Sequence, residues 1–260
     1  LLHQAGRDPT VMNGAVMKNF VTPDALFSSA LVGKGDAFVS EVDESDGSIA
    51  RYEPTIAVVN NIALDHKSMD ELRDLFAGFV NKAEIAVLNM DNDETGALVI
   101  RTKVRTRTYS LRSTFADLHC TAIRLAPDGV AFDVMERESR ERATVELAVP
   151  GEHNVSNALA ALSAARAYGL SLKEAAEALK GFSGTKRRLE VVGSAAGVIV
   201  IDDFAHNPDK ITATLAALHA FPGRLLIMFQ PHGFGPLRLM RQEFIDTFAT
   251  HMGGDDVQIG

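Results

Sequence analysis

Three short apolar runs, Ala37-Phe38-Val39, Ile56-Ala57-Val58-Val59 and Ile85-Ala86-Val87-Leu88, constrain the fold of this chain more than any other feature. None shows the in-out alternation of a strand with one wet face, so each predicts a strand covered on both sides. Between the last two, Leu72, Leu75, Phe76 and Phe79 fall at i, i+3, i+4 and i+7, which predicts an amphipathic helix over residues 70–81. Covered strands alternating with such helices make a mostly parallel sheet flanked by helices. The fold class expected is α/β.

Residues 105–149 change character. Alternating runs at 118–126 and 130–136 flank the turn residues Pro127-Asp128-Gly129 and predict a small antiparallel insert. Residues 151–168 read as an Ala-rich helix, and Ser171 with Glu174 has the spacing of a capping box that opens another. At the other end of the chain, residues 1–5 closed by Gly6 read as the last turn of a helix. After Gly181-Phe182-Ser183-Gly184 the pattern restarts. Strands at 189–192 and 198–201, a helix from Pro208, a strand at 225–229, a helix at 237–248 and a strand near Val257 predict part of a second, Rossmann-like α/β domain. The expected division is 1–183 and 184–260, with a hinge at Ser183-Gly184-Thr185.

Composition excludes several classes of function. A net charge of -8 leaves no basic face to neutralise a phosphate backbone, so nucleic acid is not an expected partner. Cys120 is the single cysteine, which rules out an internal disulfide and points to a reducing cytoplasm. No apolar run approaches the ~20 residues of a spanning helix, so no membrane is expected either.

Five polar segments interrupt this scaffold. Glu41-Val42-Asp43-Glu44-Ser45-Asp46 follows the first strand; an acidic run of this kind is more often a solvated loop, but at a strand's carboxyl end it also suits a hard cation such as Mg2+. Asn60-Asn61-Ile62-Ala63-Leu64-Asp65-His66 follows the next, and if the two strands are parallel neighbours His66 reaches the same ion as Glu41. In Gly151-Glu152-His153-Asn154-Val155-Ser156-Asn157, Asn154 is either the cap of the Ala-rich helix or, with Asn157, a reader of a ligand. Lys186-Arg187-Arg188-Leu189-Glu190 enters a strand and has the look of an ordinary basic turn. Asp202-Asp203-Phe204-Ala205-His206-Asn207-Pro208 leaves a strand, and two adjacent acids there are costly to pack unless they bind something.

Taken in that order, the five segments resemble the Mur ligase family over essentially the whole chain. The resemblance implies an ATP-dependent enzyme that phosphorylates a carboxylate of a UDP-N-acetylmuramate-type nucleotide sugar and joins an amino acid or peptide to it. It implies ATP and Mg2+, with Glu41 and His66 holding the metal and Asn154 and Asn157 contacting the nucleotide. Arg188 and Asp203 would reach the nucleotide from the second domain, and His206 and His232 would lie beside the incoming amine. Glu41 to Asp46 and Phe229-Gln230-Pro231-His232 look most like the branch that adds L-alanine, whereas Lys186 to Glu190 and Asp202 to Pro208 lean toward the branch that attaches a tripeptide. The family's Gly-rich loop ending in Gly-Lys-Thr is absent from residues 1–260, and is expected just before Leu1 together with a domain that grips UDP. Phe76 stands where several members place a carbamylated lysine, so that device is not expected. Two other readings remain open: a folylpolyglutamate synthase-like ligase, which Ala205-His206-Asn207-Pro208 would also suit and the acidic cluster at Glu41 argues against, and a non-catalytic binding relative.

Overall fold

The computed structural model describes residues 1–260 except Asp65, His66, Pro127, His232 and Gly260. Its largest sheet has six strands in the order β4 (Ile56–Val59), β5 (Ile85–Asn89), β6 (Arg105–Ser110), β7 (Leu118–Ala126), β8 (Gly129–Glu136) and β9 (Arg142–Leu147). The pairs β4–β5, β5–β6 and β6–β7 are parallel, while β7–β8 and β8–β9 are antiparallel. The small antiparallel insert, β7 to β9, is thus joined to the far edge of the parallel sheet. Tyr109 and Ser110 at the end of β6 carry the ladder across to Leu118 and His119 of β7, which makes the sheet continuous.

One face of this sheet is covered by α1 (Met69–Val80) and α2 (Asp93–Arg101), the other by α3 (Glu152–Tyr168) and α4 (Leu172–Leu179). Side-chain parity in the strands decides the division: Val87 and Tyr109 pack toward α3, whereas Ala86 and Leu88 pack toward α1 and α2. Helix α1 starts at a capping box, Ser68 with Glu71, and α4 at the expected one, Ser171 with Glu174. Phe76 packs against the α1-side core. Leu159 and Leu162 of α3 are fully buried, and each contributes roughly 2 kcal/mol of apolar transfer energy.

Near the amino end lies a three-stranded sheet, β2 (Ala30–Leu31), β1 (Thr10–Met12) and β3 (Phe38–Ser40), with β3 parallel to β1. After residue 184 come the antiparallel pair β10 (Glu190–Ala195) and β11 (Val198–Asp202), helix α5 (Pro208–Leu218), the parallel pair β12 (Leu226–Met228) and β13 (Val257–Ile259), and helices α6 (Phe234–Leu239) and α7 (Arg241–His251). The single helix expected at 237–248 is therefore two, broken at Met240, whose φ of -110 and ψ of 28 are not helical. Pro208 is indeed at the first turn of α5, with Asn207 as its cap.

The segment at the expected hinge is hydrogen-bonded to residues 16–19. Thr185 bridges to Met17, Lys18 N donates to Gly184 O at 3.1 Å, Lys186 N donates to Val16 O at 2.9 Å, and Asn19 Oδ1 accepts from Ser183 N at 2.9 Å. Gly184 has the positive φ that glycine tolerates, +89, but Arg187 at 57 and Leu189 at 46 adopt the left-handed region without that freedom.

Candidate active site

Beyond the ladder bonds, side chains stitch together the carboxyl ends of β4, β5 and β6. Asn89 donates Nδ2 to Asn60 O at 2.9 Å. Asn92 caps α2 by accepting from Thr95 N, and the same Oδ1 takes Ile62 N at 3.2 Å. Asp91 accepts from Ser110 Oγ at 2.5 Å and from Leu111 N at 2.6 Å. Strand carboxyl ends in α/β sheets are where ligands gather, and this edge is a dense bed of fixed polar groups.

The amino end of α3 arrives at the same edge. Its cap is Gly151, not Asn154, because the chain enters the helix with φ +97, where an added Cβ would meet the His153 ring at 2.6 Å and Ala217 Cβ at 3.0 Å. Asn154 lies inside the helix and donates Nδ2 to Pro150 O at 2.7 Å, while its Oδ1 accepts from Asn157 Nδ2 at 3.4 Å. Asn157 Oδ1 accepts in turn from Asn60 Nδ2 at 3.5 Å, and Asn60 Oδ1 from the buried Tyr109 hydroxyl at 2.9 Å. Burial pushes the Tyr109 phenol well above its ordinary range, so it stays a neutral O–H donor. Asn154 and Asn157, the expected nucleotide contacts, thus belong to one group with two residues far away in sequence.

Arg188, on the turn that enters β10, lies beside the turn between β11 and α5 that carries Asp203 and His206. Both Asp203 oxygens are engaged, Oδ1 by Leu189 N at 2.9 Å and Oδ2 by Thr214 Oγ1 at 2.7 Å. The Arg188 guanidinium lies 5.6 Å from the Phe204 ring centroid and donates to Phe204 O at 3.4 Å. His206 Nδ1 is 2.9 Å from the same carbonyl, which only accepts, so that nitrogen carries the proton; Nε2 faces Lys210 Nζ at 3.0 Å. His153 connects this turn with α3: burial lowers its pKa, and the Asp203 charge acts in the opposite direction.

Glu41 stands at the end of β3, where its Oε2 accepts from Gly14 N at 2.5 Å. The expectation that β3 and β4 are parallel neighbours in one sheet fails. β3 spends its ladder on β1 and β4 on β5, so the two strands belong to different sheets. Glu41 therefore shares no sheet edge with the strand that precedes His66 in the chain. His66 and His232 lie outside the described residues. Among the described residues no group of three or more His, Cys, Asp or Glu side chains is arranged to hold a metal. The Glu41 carboxylate is nonetheless the type of donor that Mg2+ takes, and phosphate oxygens and water can complete an octahedral shell.

Residues 12–165 match the Mur ligase middle domain and residues 187–258 the Mur ligase glutamate ligase domain. The chain belongs to the Mur ligase family. A UDP-N-acetylmuramate–L-alanine ligase from Desulforapulum autotrophicum is 37% identical over 257 residues, 95% of this chain and 55% of that protein. One from Anaeromyxobacter dehalogenans is 40% identical over 256 residues, 95% of this chain and 54% of its own length. The solved UDP-N-acetylmuramate-alanine ligase of Thermotoga maritima has the same fold, with a TM-score of 0.77 at 22% identity over 99% of this chain and 62% of that one. The chain therefore spans about half the length of the relatives it matches. At this strand edge, sequence reasoning missed Asn89, Asp91 and Tyr109, and gave no role to Asn60 although it singled out the segment that Asn60 opens. A usable signal existed: Asn60-Asn61 and Asn89-Met90-Asp91-Asn92 are both polar runs placed directly after a buried strand.

Proposed function

We propose that the intact protein is an ATP-dependent ligase that joins L-alanine to UDP-N-acetylmuramate in peptidoglycan precursor synthesis. The observation that carries this reading is the identity to L-alanine ligases along 95% of the chain, through both matched domains. A carboxylate oxygen of the nucleotide sugar takes the γ-phosphoryl group of ATP, and ADP leaves. The amine nitrogen then bonds to the acyl carbon through a tetrahedral intermediate, inorganic phosphate leaves, and the nitrogen gives up its proton.

Residues of this chain supply binding and orientation. Asn154 and Asn157 offer neutral donors and acceptors of the kind that read a base or a ribose. Arg188 would place a fixed cation against phosphate, and Asp203 would hold the turn that carries Arg188 and His206. Glu41, with His66, would hold Mg2+, which when bound neutralises phosphate charge. His206 and His232 would stand beside the amine. In this reading residues 1–183 handle the nucleotide and residues 184–260 begin the unit that closes over it. The nucleotide substrates imply a cytoplasmic enzyme, and no helix among the described residues is long and apolar enough to cross a membrane.

The test is ADP release by the protein at its full natural length, with UDP-N-acetylmuramate and a panel of amines. L-Alanine is expected to support turnover. Turnover with a tripeptide alone would move the protein to the recycling branch, and a folded protein inactive with every amine would refute the ligase reading.

A further inference from the structure

The Asn154 amide is anchored at one end by a group that allows no choice. Pro150 O can only accept, so Asn154 must turn Nδ2 toward it and Oδ1 away. Asn157 therefore has to present Nδ2 to Asn154, which leaves its Oδ1 for Asn60. Asn60 must in turn present Nδ2 to Asn157 and Oδ1 to the phenol, which donates. Four hydrogen bonds thus run in one direction, from Tyr109 through Asn60, Asn157 and Asn154 to a backbone carbonyl.

The two ends of this relay differ. Tyr109 has no exposed surface and is held in the core between β6 and α3, while Asn60 and Asn157 are exposed. The links on either side of Asn157, at 3.5 and 3.4 Å, are the longest of the four, so its amide is the least committed and the most open to a ligand.

We propose that Tyr109 is a positioning residue for nucleotide capture: with the direction of the amides fixed from Pro150, its buried hydroxyl anchors Asn60, and through it holds the Asn157 amide in the orientation that meets its ligand. This rests on the reading of Asn154 and Asn157 as nucleotide contacts. An amide turned the wrong way offers a donor where the ligand needs an acceptor, so fixing it beforehand removes an ordering cost from binding. Tyr109 never touches the nucleotide in this scheme.

Two variants break the relay at different links. Tyr109→Phe deletes the hydroxyl and keeps the ring. Asn60→Asp keeps the acceptor for Tyr109 but cannot donate, so Asn157 has to turn its Nδ2 toward residue 60. In the 15N-labelled chain, the side-chain amide signals of Asn157 and Asn154 are expected to move in both variants. At full natural length, ADP is expected to bind about five- to tenfold more weakly in both, the effect of losing one hydrogen bond. KM for ATP is expected to rise by a similar factor with kcat unchanged. A purely structural Tyr109 would lower thermal stability and leave the Asn157 signals and the ADP affinity where they were, which would overturn the proposal. Asn157→Ala separates the two levels. ADP binding weakened by Asn157→Ala but not by Tyr109→Phe sinks the role of Tyr109 alone, while ADP binding indifferent to both sinks the nucleotide reading and the proposal with it.

Discussion

Replacing Glu136 by Gln should cost the chain about 3 kcal/mol at pH 7, and two independent lines of reasoning give that magnitude. Glu136 ends β8 with its side chain 6% exposed, between Arg107 of β6 at 2.5 Å and Arg166 of α3 at 2.7 Å. Ser139 Oγ donates to it as well, at 2.6 Å. Removing the charge leaves the largely buried Arg107 guanidinium without its anion and Arg166 with only Glu141, 3.6 Å away, a change of ~3–5 kcal/mol in comparable sites. The second line is protonation. Arg166 foremost, opposed by burial and helped by Ser139 and Arg107, lowers the Glu136 pKa from 4.5 to about 2. At ~1.4 kcal/mol per pH unit that fall corresponds to about 3 kcal/mol. The sign follows from the depressed value: the contribution is complete above pH 4.5 and is lost as pH falls toward 2. Urea unfolding followed by far-UV circular dichroism, which suits a chain without tryptophan, measures both variants across that range. The gap between wild type and Glu136→Gln should be widest at pH 7 and close toward pH 2. A gap below ~0.5 kcal/mol at pH 7, or one that fails to narrow in acid, would refute the reasoning, since surface substitutions stay within that size.

Asp203→Ala should lower stability by about 1–3 kcal/mol in the same urea assay, because Leu189 N and Thr214 Oγ1 both lose their acceptor. Gly14→Ala places a methyl 2.9 Å from Glu41 Oε2 and should push that carboxylate aside, raising the Mg2+ concentration needed for ATP use by the enzyme at natural length while leaving thermal stability nearly unchanged. His119 is 1% exposed with neither ring nitrogen partnered among the described residues, so His119→Leu should stabilise the chain by about 1 kcal/mol, read as an upward shift in the urea midpoint.

What sequence could determine was whatever depends on neighbours along the chain. The covered strand at Ile85–Asn89 announced itself by composition, helix α1 by its 3.6-residue period, and α4 by the Ser171–Glu174 cap, since each signal is complete within a few residues, whereas the runs at 37–39 and 56–59 form edge strands that leave Phe38, Val39 and Val58 exposed. The order of the polar segments was enough to bring out the family. Partnership between distant residues lay beyond it. That β3 would pair with β1 and not with β4 depends on a choice between competing hydrogen-bonding edges, which no local pattern encodes. The continuity of the parallel and antiparallel strands in one sheet rests on a two-residue ladder at Tyr109 and Ser110. Asn60 and Asn157, 97 residues apart, read as unrelated loop and helix residues until the fold brings the end of β4 to the start of α3. Chain order determined which residues were available for chemistry; packing of α3 across the strand ends decided which of them meet, because hydrogen bonds act over ~3 Å of space and not over sequence.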